Sequence, residues 1–154
     1  MIAVIQRVAH ASVTVDGAKV AECGVGLLIL LGVAKGDTEY DASLLSEKIS
    51  KLRIFQDENG KMNLSVNDVS GSCVVVPNFT LLASCRKGNR PDFFGSADPS
   101  VAKKLFEKFT SLLSVSVPGV TSGIFGADMK VDLLNDGPVT IVINSSDLRK
   151  NTTV

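Results

Sequence analysis

Residues 2–33, IAVIQRVAHASVTVDGAKVAECGVGLLILLGV, decide the fold class of this chain. Short apolar runs and period-two alternation in Ile2–Val8 and Ser12–Val15 are typical of β-strands. Asp16-Gly17 supplies the positive-φ positions of a tight hairpin, so we expect the chain to return through Lys19–Glu22. The amino-terminal region therefore begins as antiparallel β-structure.

The rest of the chain alternates irregularly between strands and helices. In Asp41–Leu52, the residues Leu45 and Ile49 share one face with Leu52, which predicts an amphipathic helix. A second helix is predicted from an Asp98 cap, with Pro99 at its first position and an end at Pro118-Gly119. Its apolar stripe comprises Val101, Leu105, Phe109, Leu112 and Leu113. Strands are predicted over Gly26–Val33 (buried on both faces), Arg53–Phe55, Cys73–Leu82, Met129–Leu134 and Val139–Ile143.

This order of elements indicates an α+β fold with a largely antiparallel sheet and two helices. The length of 154 residues argues for a single domain. The tail from Asn144 to Val154 is polar, and we expect it to fray.

Composition limits the classes of function. The chain has 16 basic and 16 acidic residues, so no global field draws it onto a polyanion. Cys23, Cys73 and Cys85 are odd in number and lack a C-x-x-C pair, which fits neither a disulfide framework nor a zinc site. No secretory signal precedes Arg7, and the longest apolar stretch falls short of the roughly 20 residues that span a bilayer. We expect a cytoplasmic protein without a membrane segment, metal or cofactor.

Most standard catalytic motifs are missing. His10 is the only histidine, and a surface role suits it better than activation of a nucleophile. Gly24-Val25-Gly26 is too short for a dinucleotide fingerprint, and Asp57–Lys61 is explained as a turn between strands. An enzyme with this inventory must act on a substrate that is already reactive.

Two segments are unusual for strands. Pro77 interrupts Val74–Leu81, which indicates either a plain edge strand or a break that exposes backbone N–H groups. Asn135-Asp136-Gly137 has turn chemistry and precedes Pro138, so the X-Pro bond is a candidate for the cis isomer. This second segment is either a simple connection or a rigid element that reads the shape of a ligand.

With these segments the sequence resembles the D-aminoacyl-tRNA deacylases, which remove D-amino acids from tRNA. The similarity covers nearly the whole chain, and its motifs occur in the family's order. They are Ile5–Val8, Ala11–Gly17, Lys51–Phe55, Phe79–Leu81, Lys87–Pro91, Gly123–Met129 and Asn135–Thr140. The resemblance implies a barrel-like deacylase domain over residues 1–146 and a polar tail over 147–154.

The resemblance also implies site residues and a homodimer. The family's Ser-Gln-Phe-Thr-Leu signature reads Pro77-Asn78-Phe79-Thr80-Leu81 here, so two positions depart from it. Gly137 and Pro138 would enter the partner subunit's site, exclude L side chains and leave room for glycine. Catalysis would involve Asn78, Phe79 and Thr80, and substrate binding would involve Pro77, Gly137, Pro138, Phe125, Ala127 and Met129.

The expected partner is the 3′ end of aminoacyl-tRNA. Arg86, Lys87 and Arg90 are the candidates for phosphate contacts, although they could also form a solvated basic turn. Hydrolysis of the activated ester would use water assisted by the substrate's 2′-hydroxyl, with Thr80 as a covalent nucleophile as the alternative. Because Pro77 and Asn78 depart from the family, a paralogue with another aminoacyl specificity and a non-catalytic tRNA-end binder are alternative functions.

Overall fold

The computed structural model describes residues 1–149, and its central element is one uninterrupted strand, β1 (Ile2–Val15). Both edges of β1 are paired, which is why the two short strands expected there are continuous. The remaining elements are β2 (Ala18–Cys23), β3 (Gly26–Gly32), α1 (Glu39–Ser50), β4 (Phe55–Gln56), β5 (Met62–Leu64), β6 (Ser72–Pro77), α2 (Pro99–Ser116), β7 (Val120–Ser122) and β8 (Lys130–Asn144). Two 3-10 helices span Phe79–Leu82 and Ser145–Leu148.

The main sheet has the strand order β2-β1-β3-β6-β7, with β8 also paired to β1. The pairs of β1 with β2, β3 and β8 are antiparallel, whereas β3–β6 and β6–β7 are parallel. The Thr121 hydroxyl in β7 donates a hydrogen bond of 3.2 Å to the Glu22 carbonyl in β2. The sheet therefore curls into a nearly closed barrel, and the predicted α+β class with two helices is confirmed.

The predicted amino-terminal hairpin and the buried strand that follows it are confirmed. Asp16 and Gly17 have φ values of 49° and 78°, so they form the tight turn between β1 and β2. β3 is buried along nearly all of its length, as expected for a strand with both faces covered. The Asp57–Lys61 segment is indeed a turn, between β4 and a strand that was not predicted, β5.

The sheet separates two apolar cores. The larger core lies between the sheet and the helices, and residues such as Ile29, Leu45 and Phe109 are fully buried there. The smaller core fills the inside of the curled sheet and is built around Val13 and Val74. The first part of β1 contributes Ala3 and Ile5 to the larger core, and its later part contributes Val8, Ala11 and Val13 to the smaller one.

The buried face of helix α2 differs from the apolar stripe that was predicted for it. Val101 is 45% exposed, while Ala102 and Phe106 are buried. The face that contacts α1 and the sheet is thus rotated toward Ala102, and Val101 falls at its solvent edge. Asp98 occupies the N-cap position, but its side chain makes no capping hydrogen bond.

Three strand predictions need correction. The strand expected over Arg53–Phe55 is shifted to Phe55–Gln56. The strand expected over Cys73–Leu82 ends at Pro77, and a 3-10 helix follows. The two strands expected around the Asn-Asp-Gly turn are one strand, β8, because both halves pair with β1. The short strand β7 was not predicted, since its pairing to β6 is long-range and its sequence carries no apolar run.

No helix within residues 1–149 is long and apolar enough to cross a membrane.

A buried carboxylate holds the carboxyl-terminal segment. Asp41 is fully buried, and both of its oxygens accept hydrogen bonds from Arg149, the shortest at 2.7 Å. The Ser145 hydroxyl donates to the same carboxylate at 2.9 Å. The expectation of fraying is therefore wrong for residues 144–149, and residues 150–154 lie outside the described part of the chain.

This network makes Asp41 a source of pH-dependent stability. Burial alone would raise the pKa of Asp41, but hydrogen bonds from Arg149, Thr38 and Ser145 outweigh burial and lower the pKa to about 2. Its stabilisation is complete above the unfolded pKa of about 3.9 and is lost as pH falls toward the folded value.

We expect Asp41→Asn to lower the free energy of unfolding by about 1.5–3 kcal/mol at pH 7, because hydrogen bonds to a charged group are lost. The difference from wild type should shrink as pH falls from about 4 toward 2, as measured by urea unfolding. Asp147→Asn, at an exposed position, is the control and should change little. A difference that is independent of pH would contradict this account.

Candidate functional site

A cavity of about 330 Å³ lies where β6 ends, and we call it the site cavity. It brings together five residues that the sequence singled out, from two distant segments of the chain. Pro77, Asn78 and Phe79 line one side, while Ala127 and Met129 line the other. Its further lining residues are Leu30, Val76, Gly126, Asp128 and Val131.

The position of the Asn78 side of the cavity depends on two local features. Pro77 cannot donate to the sheet, and the N–H of Asn78 instead donates to the Leu31 carbonyl at 2.8 Å. A Cβ atom on Gly32 would lie 2.5 Å from Leu82 and 3.0 Å from the Asn78 carbonyl oxygen. Only glycine at position 32 lets the 3-10 helix pack this closely against β3.

Asn78 organises the turn that follows it. Its side-chain oxygen accepts hydrogen bonds from the N–H of Thr80, at 3.2 Å, and from the Thr80 hydroxyl. Thr80 is exposed and does not line the site cavity. The Thr80 hydroxyl is therefore held by an amide oxygen, which is too weak a base to activate it.

The opposite wall is positioned by a second close approach. The N–H of Gly123 donates to the Val75 carbonyl at 2.9 Å, which fixes the start of the segment leading to Met129. A Cβ atom at Gly123 would lie 2.6 Å from the Met129 sulfur and 3.6 Å from Pro77. The absence of a side chain at position 123 thus lets Met129 approach Pro77.

The site cavity offers no general base. Of its lining residues only Asp128 is titratable, and its side chain is 84% exposed and paired with Lys130 at 3.1 Å. His10 lies elsewhere, 3.7 Å from Asp132 on the β1–β8 pair. Within residues 1–149, no group of three His, Cys, Asp or Glu side chains could hold a metal ion.

A second cavity of about 470 Å³ adjoins the first, and we call it the aromatic cavity. Four phenylalanines line it, and Phe79 is shared with the site cavity. The rings of Phe79 and Phe93 meet edge to face, with centroids 5.0 Å apart. Phe125, which was expected beside the substrate, lies in this cavity and not in the site cavity. Phe93 and Phe94 were missed, because an aromatic pair in a loop carries no periodic signal.

The three candidate phosphate-binding residues lie on one exposed loop. Ser84 and Asp92 exchange backbone hydrogen bonds of 2.8 and 2.9 Å, which close residues 85–91 into a hairpin. Arg86, Lys87 and Arg90 are all exposed on this hairpin, which we call the basic loop. It leads directly into Phe93 of the aromatic cavity.

Residues 136–139 form a bulge in β8. Gln6 pairs with Thr140 and Val8 with Asn135, so these residues have no partner on β1. Residues 136–138 are exposed, whereas Val139 is buried in the larger core. The side chain of Asn135 closes the base of the bulge by donating to the Arg7 carbonyl at 3.1 Å and to the Val139 carbonyl at 2.9 Å. The expected turn is thus an excursion within one strand.

Arg7 fixes the bulge from inside the fold. Its side chain is buried and donates to the Asp136 carbonyl at 3.0 Å and to the Ile54 carbonyl at 2.8 Å. We did not single out Arg7 as a site residue from the sequence. A lone arginine within the apolar run of β1 was the available signal, since buried charges require specific partners.

Gly137 and Pro138 are exposed at the tip of the bulge, and the bond between them is cis. Gly137 has a φ of 140°, and a Cβ atom there would lie 2.7 Å from Val139 and 3.1 Å from the Arg7 guanidinium. Neither residue lines the site cavity of its own chain. The structure therefore does not bring this pair together with Asn78, Phe79 and Thr80 within one subunit.

Comparison with known proteins gives a consistent result. The family described as D-Tyr-tRNA(Tyr) deacylase matches residues 4–144. A D-aminoacyl-tRNA deacylase from Persephonella marina is 55% identical over 148 residues, which cover 96% of this chain and 100% of the relative. A D-aminoacyl-tRNA deacylase from Dictyoglomus turgidum is 51% identical over 150 residues, covering 97% of this chain and 96% of the relative.

Solved structures show the same fold. A c-Myc DNA unwinding element binding protein is 39% identical, with a TM-score of 0.88 over 94% of this chain and 98% of that one. A probable eukaryotic D-amino acid tRNA deacylase superposes with a TM-score of 0.79 at 14% identity, over 92% of this chain and 97% of that one. The second likeness concerns the fold alone.

Proposed function

Because the chain belongs to the D-Tyr-tRNA(Tyr) deacylase family, we propose that it hydrolyses the ester bond of D-aminoacyl-tRNA. The products are the free D-amino acid and tRNA with an intact terminal ribose. The observation that carries this proposal is 55% identity to a D-aminoacyl-tRNA deacylase over 96% of the chain. We place the reaction in the cytoplasm, where charged tRNA is found.

The site cavity suits an ester that is already activated. The α-ammonium group of an aminoacyl ester withdraws electrons from the carbonyl, so attack by water needs orientation and oxyanion stabilisation more than a strong base. The N–H of Thr80 is already bonded to Asn78, which leaves the N–H of Phe79 as the proposed oxyanion donor. One such donor contributes about 2.7–4 kcal/mol. The substrate's 2′-hydroxyl is the proposed assistant of the attacking water.

Pro77 and Asn78 differ from the family's signature, and these differences affect the proposed rate of hydrolysis. In the family these positions hold serine and glutamine, and proline removes both a hydroxyl and an N–H donor. Asn78 retains one function of an amide side chain, since its oxygen caps the turn at Thr80. We propose that the site remains catalytic, with its rate set by the shorter reach of Asn78.

We propose separate binding sites for the terminal base and for the phosphates of the tRNA. We assign the adenine to the aromatic cavity, because it adjoins the site cavity through Phe79 and its phenylalanine rings can stack on a base. The basic loop then lies on the path of the phosphate backbone. A local cluster of cations explains how a chain with no net charge can bind RNA.

Gly137 and Pro138 are proposed to act on the partner subunit of a homodimer. They protrude from the surface, and two apolar residues of β8, Leu134 and Val142, are 54% and 66% exposed on either side of the bulge. A second copy of the chain would cover this surface and carry the bulge into its site cavity. There the backbone carbonyls would meet the α-amino group and leave no space for an L side chain.

Substrate discrimination tests the proposed function. We expect the purified protein to hydrolyse D-Tyr-tRNA and Gly-tRNA, because neither places a side chain against the bulge. L-Tyr-tRNA should remain charged over the same interval, as followed by loss of the labelled ester. Binding of all three without hydrolysis would instead identify a tRNA-end binder, and cleavage of the L ester would identify a paralogue of altered specificity.

Thr80→Val separates the two chemical mechanisms. If water attacks, we expect kcat to fall by no more than about tenfold, because Val removes only the bond that helps to orient Asn78. A covalent role for the Thr80 hydroxyl requires loss of nearly all activity in this variant. Thr110→Val, on α2, is the matched control.

Mixed dimers test the exchange of the bulge between subunits. Gly137→Val should disable the bulge through a clash, and Ala127→Trp should block the site cavity. Each variant alone should be inactive. Unfolding and refolding an equal mixture should restore about a quarter of the wild-type sites, since each hybrid dimer has one intact pair of bulge and cavity. Failure of the mixture to regain activity, or a monomer in sedimentation, would contradict this arrangement.

A further inference from the structure

Phe94 is the most exposed phenylalanine in residues 1–149. Its side chain is 79% exposed, although it also lines the mouth of the aromatic cavity. The inner rings, Phe93 and Phe125, are at most partly exposed. A nucleotide base bound between Phe93 and Phe125 would leave the outer face of the Phe94 ring free to contact a second base.

The backbone around Phe94 is fixed. Its N–H donates to the Asp92 carboxylate at 3.3 Å, and Asp92 closes the basic loop through Ser84. On the other side, the N–H of Ser96 donates to the Phe93 carbonyl at 3.0 Å. An exposed ring on a fixed backbone loses little conformational freedom when a flat ligand binds to it.

The positive charge of the basic loop next to Phe94 favours a negatively charged ligand. The basic loop that precedes it carries Arg86, Lys87 and Arg90 and no acidic residue over 85–91. An exposed aromatic ring that adjoins a run of cations has the composition of a binding site for single-stranded nucleic acid. A protein partner of opposite charge would not explain why the flat ring lies beside a base-sized cavity.

We infer that Phe94 binds the base of the penultimate nucleotide, next to the terminal adenosine, by stacking on its exposed face. The inference rests on the proposed function, since it takes the terminal base to lie in the aromatic cavity. The phosphate between the two nucleotides would then lie beside the basic loop. Phe94 would thus distinguish a tRNA end from an aminoacylated mononucleotide.

The test compares substrates of two lengths. With D-aminoacyl-tRNA, Phe94→Ala should raise KM by about 5- to 150-fold, the range of base–aromatic stacking, and leave kcat unchanged. With D-aminoacyl-adenosine, KM should rise by a clearly smaller factor, because Phe94 lies only at the mouth of the cavity assigned to the adenine. Phe94→Tyr keeps the ring and should behave as wild type with both substrates.

A minihelix that lacks the penultimate base provides an independent readout. Wild-type protein should bind this uncharged RNA as weakly as Phe94→Ala binds the intact minihelix, and the two changes together should add nothing further. Equal loss for D-aminoacyl-adenosine, or no loss with either substrate, would overturn the inference. Failure of wild type to hydrolyse any D ester would instead overturn the proposed function, while the binding comparison would still decide the role of Phe94.

Discussion

The pairing of β1 on both edges is the constraint on which the rest of the structure depends. β3 and β2 occupy one edge in succession, while β8 follows the other from Ile2 to Thr14. The surplus residues of β8 therefore have to leave the sheet, and they do so as the bulge over 136–139. Arg7 lies on the same strand and holds the bulge from behind. The central strand thus determines both the core and the position of Gly137.

The candidate site is built from backbone geometry and apolar walls. Gly32 and Gly123 permit close approaches that a side chain would prevent, and these approaches place Asn78 and Met129 on opposite sides of one cavity. Because no general base lines the cavity, its proposed role is to orient the ester and to exclude the L enantiomer. This division explains how a chain whose single histidine does not line the cavity can serve as a hydrolase.

Local sequence patterns correctly predicted the elements that depend on local interactions. The Asp16-Gly17 turn, the buried strand β3 and the two helices followed from periodicity and turn chemistry. The continuity of β8 did not, because Asn135-Asp136-Gly137 has the chemistry of a turn and only pairing with β1 makes it a bulge. Likewise, the polar composition after Asn144 predicted fraying, whereas the buried carboxylate of Asp41 anchors that segment.

The candidate site, like the fold, was predictable from the sequence only in part. The resemblance to a family assigned Pro77–Phe79, Ala127 and Met129 to one site, and these residues line one cavity in the structure. Phe125, expected to bind substrate, lines the aromatic cavity instead of the site cavity, because the sequence does not reveal that two cavities share Phe79. Arg7 was overlooked because strand position alone does not show which carbonyls its guanidinium will meet.

The pairing of Ile2 with Asn144 also has a consequence for biosynthesis. One edge of β1 stays without its partner until β8 has left the ribosome, although six other strands and both α-helices lie between them in the chain. An open edge beside apolar strands is a template for wrong association. Translation that stalls after α2 would therefore leave an aggregation-prone intermediate with this edge of β1 open.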